Sequence, residues 1–504
     1  INAVEFMPLQ EFGGNISWGY NPNFYFAPDK VYGTKNKLKE LIDTLHKNGI
    51  AVLLDVVYNH IDAYNTPIGK LYWDAANSRP AANNPWLNTT TPHSAYKFFE
   101  DFNHTSAATQ NLVKTSLEHW ITEYKVDGFR FDFTKGFTQT VTSGDNSAKD
   151  QSRIDNLNRY YDYIVPKYPD TYMILEHFCA SDEENILINK GFMPWREMFA
   201  QYKESLLGTG GNKNFGPVMW NYGGTAAPTP SLVGFMDSHD KERLVYECLQ
   251  NGGASGPYVV KSLNTALARM EAAAAVFFTV PGPKMVWQFD EFGYDIPRAN
   301  NTDMKAPRWD YLLNANRAHL LEVYQKLIQL RLSNTAVFSS TPTAYDFSNF
   351  LKYLQIGDPV IANTQITIVA NLGLTALQQP ITFQKTGNWY NYISNGVGTG
   401  INGATNATFN LTNATQTISL LPGEYHVYVS VPPCVSANPT VVSPITYCQN
   451  STVSALTATG SGLLWYTTPS NGTGVATLTP STLNSGNTTY YVTQTAGGCS
   501  ESSR

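Results

Sequence analysis

Apolar strands that alternate with amphipathic helices constrain this chain more than any other feature. Residues 50–57 are apolar on both faces of a strand, and they follow a segment in which Leu38, Leu41, Ile42 and Leu45 recur at helical spacing. Further helix and strand pairs are predicted at 107–124 and 126–133 and at 152–165 and 171–176, with further strands at 191–193, 231–236 and 284–287. Strands buried on both faces belong to parallel sheets, so we predict an α/β fold, a (β/α)8 TIM barrel over residues 1–335.

Three other regions differ from this alternation. Residues 58–105 are rich in Asn, Pro and aromatic residues and too long for an ordinary loop, so we predict an inserted subdomain on the active-site side of the barrel. Residues 336–431 carry short alternating strands and predict a C-terminal β-sandwich. Residues 434–504 are rich in Thr, Ser, Gly and Asn and predict an Ig-like β domain, which we expect to be truncated.

Charge and hydropathy exclude several classes of partner. The net charge is −6 and no long basic run occurs, which argues against nucleic acid and against an anionic membrane surface. No stretch of about 18 apolar residues is present, so no membrane span is expected. Cys448 and Cys499 could bridge the Ig-like domain, which would suit an exported protein. We expect a monomer.

Four acidic motifs fall where the predicted barrel strands end. They occupy residues 55–60 (DVVYNH), 128–135 (GFRFDFTK), 174–177 (ILEH) and 235–240 (FMDSHD). Charged groups at the ends of apolar strands are costly unless they face a polar site. Because parallel strands end on the same side of a barrel, we expect the four motifs to converge at one mouth.

In this order and spacing, the four motifs resemble the conserved regions of the α-amylase family of glycoside hydrolases, and the resemblance covers residues 1 to about 431. Residues 18–20 (WGY), 32–34 (YGT), 281–293 and 423–425 extend it. By this alignment Ile1 lies in the second barrel strand, so we expect the first strand and helix to be missing from the sequence given. The front half is most similar to enzymes of Bacteroidetes-type bacteria, which implies a secreted or cell-surface protein.

The resemblance implies roles for three carboxylates. Asp132 matches the nucleophile, Glu176 the general acid/base, and Asp240 the third carboxylate, which binds sugar hydroxyls. Arg130 lies two residues before Asp132 on the same strand face and is expected to keep it ionised, whereas the pKa of Glu176 is expected to be raised. The two carboxyl groups should then lie about 5–5.5 Å apart, and the anomeric configuration should be retained.

The resemblance also implies substrate-binding and metal-binding residues. The expected substrate-binding residues are Tyr20, His60, Arg130, Lys135 and His239. Asn59, Asp101 and the backbone carbonyl of Gly136 match ligands of a structural Ca²⁺ that links the inserted subdomain to the barrel. Gly136 replaces the histidine usual at its position, but it can still supply a carbonyl. Asp55 and Asp237 are expected to be structural.

The implied function is hydrolysis of internal α-1,4 bonds in starch, glycogen or maltooligosaccharides. The alternative within the same family is a glucan-branching or other transglycosylating enzyme, because the chemistry is identical until water or a sugar hydroxyl resolves the intermediate. A non-catalytic starch-binding surface protein is a third hypothesis. The complete acidic set argues against it, since a binder has no need of a matched nucleophile and acid.

Overall fold

The computed structural model describes most of the chain in two compact units. The described residues are 1–63, 66–219, 230–298, 305–360, 362, 364–432, 437–469, 472–495 and 502. The first unit comprises residues 1–251 and 280–310, and the second comprises residues 252–279 and 311–504. The two units are described separately below.

The first unit is built on a seven-stranded parallel sheet whose strands pair in the order in which they occur along the chain. These strands are β1 (Ala3–Phe6), β2 (Ala51–Val56), β3 (Gly128–Phe131), β4 (Tyr172–Leu175), β5 (Met193–Glu197), β6 (Val233–Phe235) and β7 (Lys284–Met285). Residues of β2, β3 and β4 are buried on both faces, as the apolar runs predicted. The α/β fold of the TIM-barrel type is confirmed.

Helices connect these strands. They are α1 (Lys35–Lys47), α2 (Ala107–Tyr124), α3 (Gln151–Ile164), α4 (Ser181–Lys190), α5 (Phe199–Leu207) and α6 (Leu244–Asn251). Side chains cap the first turns of three of them, because the hydroxyls of Thr34 and Ser106 and the carboxylate of Asp150 accept hydrogen bonds from backbone amides. The buried face of α2 carries Leu117 and Trp120, which belong to the core against the sheet.

The inserted segment between β2 and α2 contains only short elements. They are the pair His60–Ile61 and Glu100–Asp101, the helix Pro67–Lys70, the hairpin Trp73–Asp74 and Arg79–Pro80, and the 3-10 turn Ser94–Tyr96. Other small elements of this unit are the pair Gln10–Phe12 and Pro22–Pro28 and the 3-10 turns Lys30–Tyr32, Thr134–Gly136, Gly216–Val218 and Asp290–Phe292. The inserted subdomain with the boundaries 58–105 stays a prediction.

The second unit combines helices with an antiparallel sandwich. Its helices are α7 (Leu263–Thr279), α8 (Ala315–Ser333) and the short Thr335–Phe338. Six strands form one sheet in the order Ala344–Asp346, Leu351–Ile356, Ile366–Asn371, Tyr425–Val429, Gly387–Ser394 and Thr408–Leu411, and Leu377–Thr382 pairs separately with Thr415–Leu420. Trp389, Ile418 and Tyr428 lie in the core between them. Arg269 of α7 donates to two carbonyls that follow the third strand, so α7 groups with the sandwich, while the domain boundary drawn at 335 stays a prediction.

The C-terminal residues form short antiparallel pairs. Thr440–Val441 pairs with Ala458–Thr459, and Leu464–Tyr466 pairs with Tyr491–Thr493. Trp465 and Tyr466 are buried there. Cys499 lies outside the described residues, and so does the predicted bridge to Cys448. Among the described residues, no helix has the length and apolar character needed to cross a membrane.

Candidate active site

One buried guanidinium lies among three carboxylates at the ends of neighbouring strands. The register of β2 and β3 places Asp55 directly beside Arg130, whose Nη1 donates to both carboxylate oxygens of Asp55 at 2.7 and 2.8 Å. The same Nη1 donates to Asp132 Oδ1 at 2.9 Å, and Nη2 forms an ion pair with Glu176 Oε2 at 3.0 Å. The structure therefore brings the predicted nucleophile and the predicted acid/base to one cation.

Aromatic rings flank this guanidinium. The Arg130 carbon Cζ lies 4.1 Å from the ring centroid of Trp195 on β5 and 5.9 Å from that of Tyr20. A guanidinium over an aromatic face is stabilised by the ring quadrupole when water is excluded. Arg130 is fully buried, so these rings help to hold it in one orientation toward the carboxylates.

The backbone after Asp132 turns sharply toward Glu176. Phe133 adopts a left-handed φ of 42°, which is unusual for a bulky residue, and its amide donates to Glu176 Oε2 at 2.8 Å. The hydroxyl of Thr134 donates to the backbone carbonyl of Glu176 at 2.8 Å. Strained backbone of this kind concentrates at functional sites, where it positions groups that would otherwise lie apart.

Burial and neighbouring charges shift the pKa values of two carboxyl groups in this cluster. Burial raises the pKa of Asp132 well above its usual range, the neighbouring Glu176 carboxyl raises it further, and Arg130 lowers it only in part. Burial likewise raises the pKa of Asp55 to about 6 despite Arg130. Arg130 therefore offsets only part of the cost of burying an ionised Asp132 beside the other carboxylates, and its role in keeping Asp132 ionised stays a prediction.

His239 connects Asp240 to this cluster. The His239 ring stacks on Tyr20 with a centroid separation of 5.1 Å, and Tyr20 donates its hydroxyl to Asp55 Oδ2 at 2.6 Å. His239 Nε2 lies 3.4 Å from Asp240 Oδ2, and half of the Asp240 side chain is exposed. Asp240 thus lies at the open side of the cluster, next to a predicted substrate-binding ring. No described contact joins it directly to Asp132 or Glu176.

The polar contacts described for His60 and Lys135 are with other residues of the protein. His60 Nε2 lies 2.8 Å from the carbonyl of Tyr20, Nδ1 lies 3.1 Å from the Asn59 amide nitrogen, and burial lowers the pKa of the ring to about 4. Lys135 Nζ donates to Asp145 at 3.1 Å and to Ser147 at 2.9 Å. Substrate contact by these two residues stays a prediction.

Sequence reasoning missed several members of the site. Asp55, expected to be structural, contacts Arg130 as closely as Asp132 does, which is compatible with that role, and Trp195 was not singled out. Phe98 and Phe99 are about half exposed, and their ring centroids lie 5.7 and 5.6 Å from that of His60. The consecutive aromatic residues of the insertion were the available signal for these last two.

The three predicted calcium ligands converge, but a histidine lies among them. His93 Nε2 is 3.0 Å from the carbonyl of Gly136 and 3.1 Å from Asp101 Oδ1. A Cβ on Gly136 would lie 1.9 Å from Asn59 Oδ1 and 3.0 Å from His93 Nε2, so the groups are in close contact. Ca²⁺ requires six to eight oxygen ligands at about 2.3–2.6 Å, and a buried imidazole at this place does not fit that requirement.

A second set of metal-ligating residue types follows Glu176. Ligand atoms of His177, Cys179 and Glu183 lie within 4.8 Å of one another. Both carboxylate oxygens of Glu183, however, accept hydrogen bonds from Arg153 at 2.6 and 2.7 Å. This cluster is therefore already neutralised by a cation of the protein itself.

Two sequence-family models match the chain. The model of the α-amylase catalytic domain matches residues 14–94, and the model of the CHU_C-associated Ig-like domain matches residues 436–504. The first match covers the segment with Tyr20, the end of β2 and most of the insertion. The second coincides with the predicted Ig-like domain.

Individual proteins extend these matches. A malto-oligosyltrehalose trehalohydrolase of Saccharolobus solfataricus is 32% identical over 169 residues, which are 33% of this chain and 26% of the relative. A 1,4-α-glucan-branching enzyme of Arabidopsis thaliana is 30% identical over 189 residues, which are 35% of this chain and 22% of the relative. The chain thus spans about a quarter of the length of these relatives.

A solved structure matches over much more of the chain. The α-amylase of Geobacillus thermoleovorans, solved in complex with acarbose, superposes with a TM-score of 0.63 and 16% identity, over 85% of this chain and 88% of that one. This similarity bears on the fold. Residues 14–94 are thus similar to the α-amylase catalytic domain, residues 436–504 are similar to the CHU_C-associated Ig-like domain, and the fold is that of the solved α-amylase.

Proposed function

We propose that this chain is a retaining glycoside hydrolase that cleaves internal α-1,4 bonds of starch, glycogen or maltooligosaccharides. One observation carries the proposal: the carboxyl groups of Asp132 and Glu176 both contact the Arg130 guanidinium at the ends of neighbouring strands. A pair of carboxyl groups held close together is what a double displacement requires. The relatives include enzymes named for action on α-glucans, which supports the substrate class.

In the proposed reaction, Asp132 attacks the anomeric carbon while Glu176 protonates the departing glycosidic oxygen. The bond between carbon and the leaving oxygen breaks, and a glycosyl ester forms on Asp132. Glu176, now ionised, then takes a proton from water, and the hydroxide attacks the anomeric carbon and releases Asp132. The Phe133 amide stabilises Glu176 when it is ionised, as it is between the two steps.

The other predicted residues are assigned to the sugar. Asp240, His239 and His60 are proposed to bind hydroxyl groups, Tyr20 to stack on the ring being cleaved, and Lys135 to contact the leaving-group side. The ring of Tyr20 is positioned for this by its hydrogen bond to Asp55 and by its stacking on His239, which support the assignment.

The first test removes the nucleophile. We expect Asp132→Asn to lower turnover of amylose by about 10⁴-fold while glucan binding remains, because removing one member of a catalytic unit has effects of that order. The matched control is Asp162→Asn, an exposed aspartate of α3 that pairs with Lys190. Unchanged turnover in Asp132→Asn would contradict the proposal.

The second test separates the acid/base from the nucleophile. Glu176→Ala should retain activity on an aryl maltooligosaccharide with a good leaving group, because that group departs without protonation. Azide should then accelerate turnover and give a glycosyl azide of the same anomeric configuration as the substrate. A product of inverted configuration would assign the nucleophile role to Glu176 instead.

Branching is the alternative activity, and the similarity to a branching enzyme favours it as the second candidate. Both activities share the same first step and differ in whether water or a sugar hydroxyl resolves the intermediate. Iodine staining of amylose and assay of reducing ends distinguish them. Hydrolysis should lose stain and release many reducing ends, whereas branching should lose stain with few.

We also propose a cellular location, an oligomeric state and domain boundaries for this chain. An Ig-like domain at the C-terminal end supports a secreted or cell-surface bacterial protein, in which this domain serves as a spacer or display module. We propose a monomer with domain boundaries near 335 and 432. Sedimentation of the purified chain tests the first, and limited proteolysis tests the second.

A further inference from the structure

Four groups meet where the inserted segment joins the first unit. Asn59 lies shortly after β2, Gly136 is the last residue of the 3-10 turn after Asp132, and His93 and Asp101 belong to the insertion. The backbone of the insertion is already paired here, because Asp101 bridges to His60 and the Phe102 amide donates to the Asn59 carbonyl at 3.1 Å. The side chains at this junction therefore decide how firmly the insertion is attached beside the active site.

The imidazole of His93 spans this junction. Its side chain is 1% exposed, and its Nε2 lies 3.1 Å from Asp101 Oδ1 and 3.0 Å from the Gly136 carbonyl. These two oxygens come from the two sides that have to be joined. A single ring nitrogen therefore makes the connection between the insertion and the segment that follows the proposed nucleophile.

Gly136 provides the space for this arrangement. A Cβ at this position would lie 1.9 Å from Asn59 Oδ1 and 3.0 Å from His93 Nε2, so a larger residue would force both side chains to move. The family usually carries histidine after the lysine that corresponds to Lys135, whereas this chain has glycine there.

The amide of Asn59 is oriented by its neighbours. Its Nδ2 lies 3.1 Å from His60 Nδ1, which turns Oδ1 toward Gly136. Among the described residues, this buried oxygen has no hydrogen-bond donor. Asp101 is held from its other side, because Oδ2 accepts from the Asn88 amide at 2.6 Å. The oxygens are thus preset around the position of the His93 ring.

We propose that the His93 imidazole replaces the calcium ion at this junction, so that the chain joins its insertion to the barrel without a metal. The nitrogen lies at hydrogen-bonding distance from both oxygens that the ion would otherwise bridge. A Ca²⁺ ion would need the same space and six or more oxygen ligands. The inference concerns attachment and does not depend on the proposed activity.

The experiment measures metal content and thermal unfolding of the full chain. After dialysis against a chelator-free buffer, the wild type should contain no stoichiometric calcium by elemental analysis. Its Tm should be the same in excess EDTA and in millimolar CaCl₂. Stoichiometric calcium together with a fall of Tm in EDTA would overturn the proposal.

The variant His93→Ala tests the replacement directly. It leaves Asn59 Oδ1, Asp101 Oδ1 and the Gly136 carbonyl around a cavity, so it should unfold at lower temperature in EDTA and be stabilised by several degrees in CaCl₂. The double variant His93→Ala/Asp101→Asn is the matched control and should lose that calcium response. A wild type stabilised by calcium as strongly as His93→Ala would contradict the inference, and this comparison holds even if the variant is only marginally folded.

Discussion

Two arginines of the first unit, Arg130 and Arg153, are both fully buried, but they differ in the number of carboxylates that contact them. Arg130 faces three carboxylates, whereas Arg153 faces one, Glu183, which it binds through two hydrogen bonds. Burial raises the pKa of Asp132 beside Arg130 and outweighs the effect of that cation. Burial also tends to raise the pKa of Glu183, but hydrogen bonds from His177 and Arg153 lower it to about 2.

The two clusters differ in their roles: the Arg153 cluster supports a loop, whereas the Arg130 cluster contains the proposed catalytic residues. Arg153 donates its remaining hydrogen bonds to the carbonyls of Lys135, Asn146 and Ala148, so the balanced cluster fixes the loop that follows the proposed nucleophile. The cluster around Arg130 places three carboxylates against one cation, so ionising Asp132 there is costly and its pKa is raised. Such an imbalance is typical of catalytic sites, where pKa values are shifted for a task.

The largest expected effect comes from breaking the balanced cluster. Glu183→Gln should lower the free energy of unfolding at neutral pH by about 3 kcal/mol, because it leaves Arg153 buried without its counter-ion. The folded-state pKa lies below the unfolded value of 4.5, so this stabilisation is present above that pH and is lost as the pH falls toward about 2. Urea denaturation of both proteins over this range should show the two curves converge in acid.

Glu184→Gln is the matched control for this experiment. The residue is adjacent on α4 and pairs with Arg196, but burial raises its pKa to about 7. The amide mimics a form that is already populated at neutral pH, so the loss should be much smaller. Equal losses in the two variants would show that the distinction between balanced and unbalanced charge is not what determines stability here.

Replacing a carboxyl group of the Arg130 cluster by an amide should change the free energy of unfolding in the opposite direction. Asp132→Asn should raise the free energy of unfolding at neutral pH by about 1 kcal/mol, as is common when an active-site residue is replaced. The folded-state pKa is raised above the usual 3.8, so the stability that protonated Asp132 contributes is lost as the pH rises through that pKa. The gain should therefore vanish in acid, and a destabilised variant at neutral pH would contradict this view of the Arg130 cluster.

Much of the fold was predictable because periodicity reports on local geometry. The predicted helices at 107–124 and 152–165 correspond to Ala107–Tyr124 and Gln151–Ile164, and the doubly apolar run at 50–57 contains β2. The strand predicted at 191–193 is instead Met193–Glu197, because the helix before it extends to Lys190 and Gly191 ends it.

Residues of the candidate site could be predicted only where they belong to one of the four sequence motifs. The motifs gave Asp132 and Glu176, and parallel strands explain why they meet. The contact of Asp55 with Arg130 was not predicted because it depends on the register of β2 and β3, which no local pattern encodes. His93 lies in the insertion, where neither helical nor strand periodicity applies, so its position between Asp101 and Gly136 could come only from the folded structure.

The smallest expected effect concerns a third buried cluster, in which one arginine, Arg243, lies near two carboxylates, Asp237 and Asp290. Asp237 Oδ1 is 2.9 Å from Arg243, and Asp290 is hydrogen-bonded to Asp237. Burial and the neighbouring Asp237 raise the pKa of Asp290 well above its usual range. The amide mimics the protonated carboxyl, so Asp290→Asn should change the free energy of unfolding by less than about 0.5 kcal/mol in acid, where Asp290 is protonated in both the folded and the unfolded state.

Asp237 is the matched comparison for Asp290, because it pairs directly with Arg243. Asp237→Asn removes the direct partner of Arg243 and should cost about 3 kcal/mol, although the two aspartates are adjacent and equally buried. The folded-state pKa of Asp290 is raised above the unfolded value of 3.8, so wild-type stability falls as the pH rises from that value toward the folded pKa, and Asp290→Asn should become the more stable protein over that range. Denaturation curves of the three proteins at acid and neutral pH measure this. A large loss in Asp290→Asn at neutral pH would mean that Arg243 holds two ionised carboxylates, and charge excess alone would then not distinguish the Arg130 cluster.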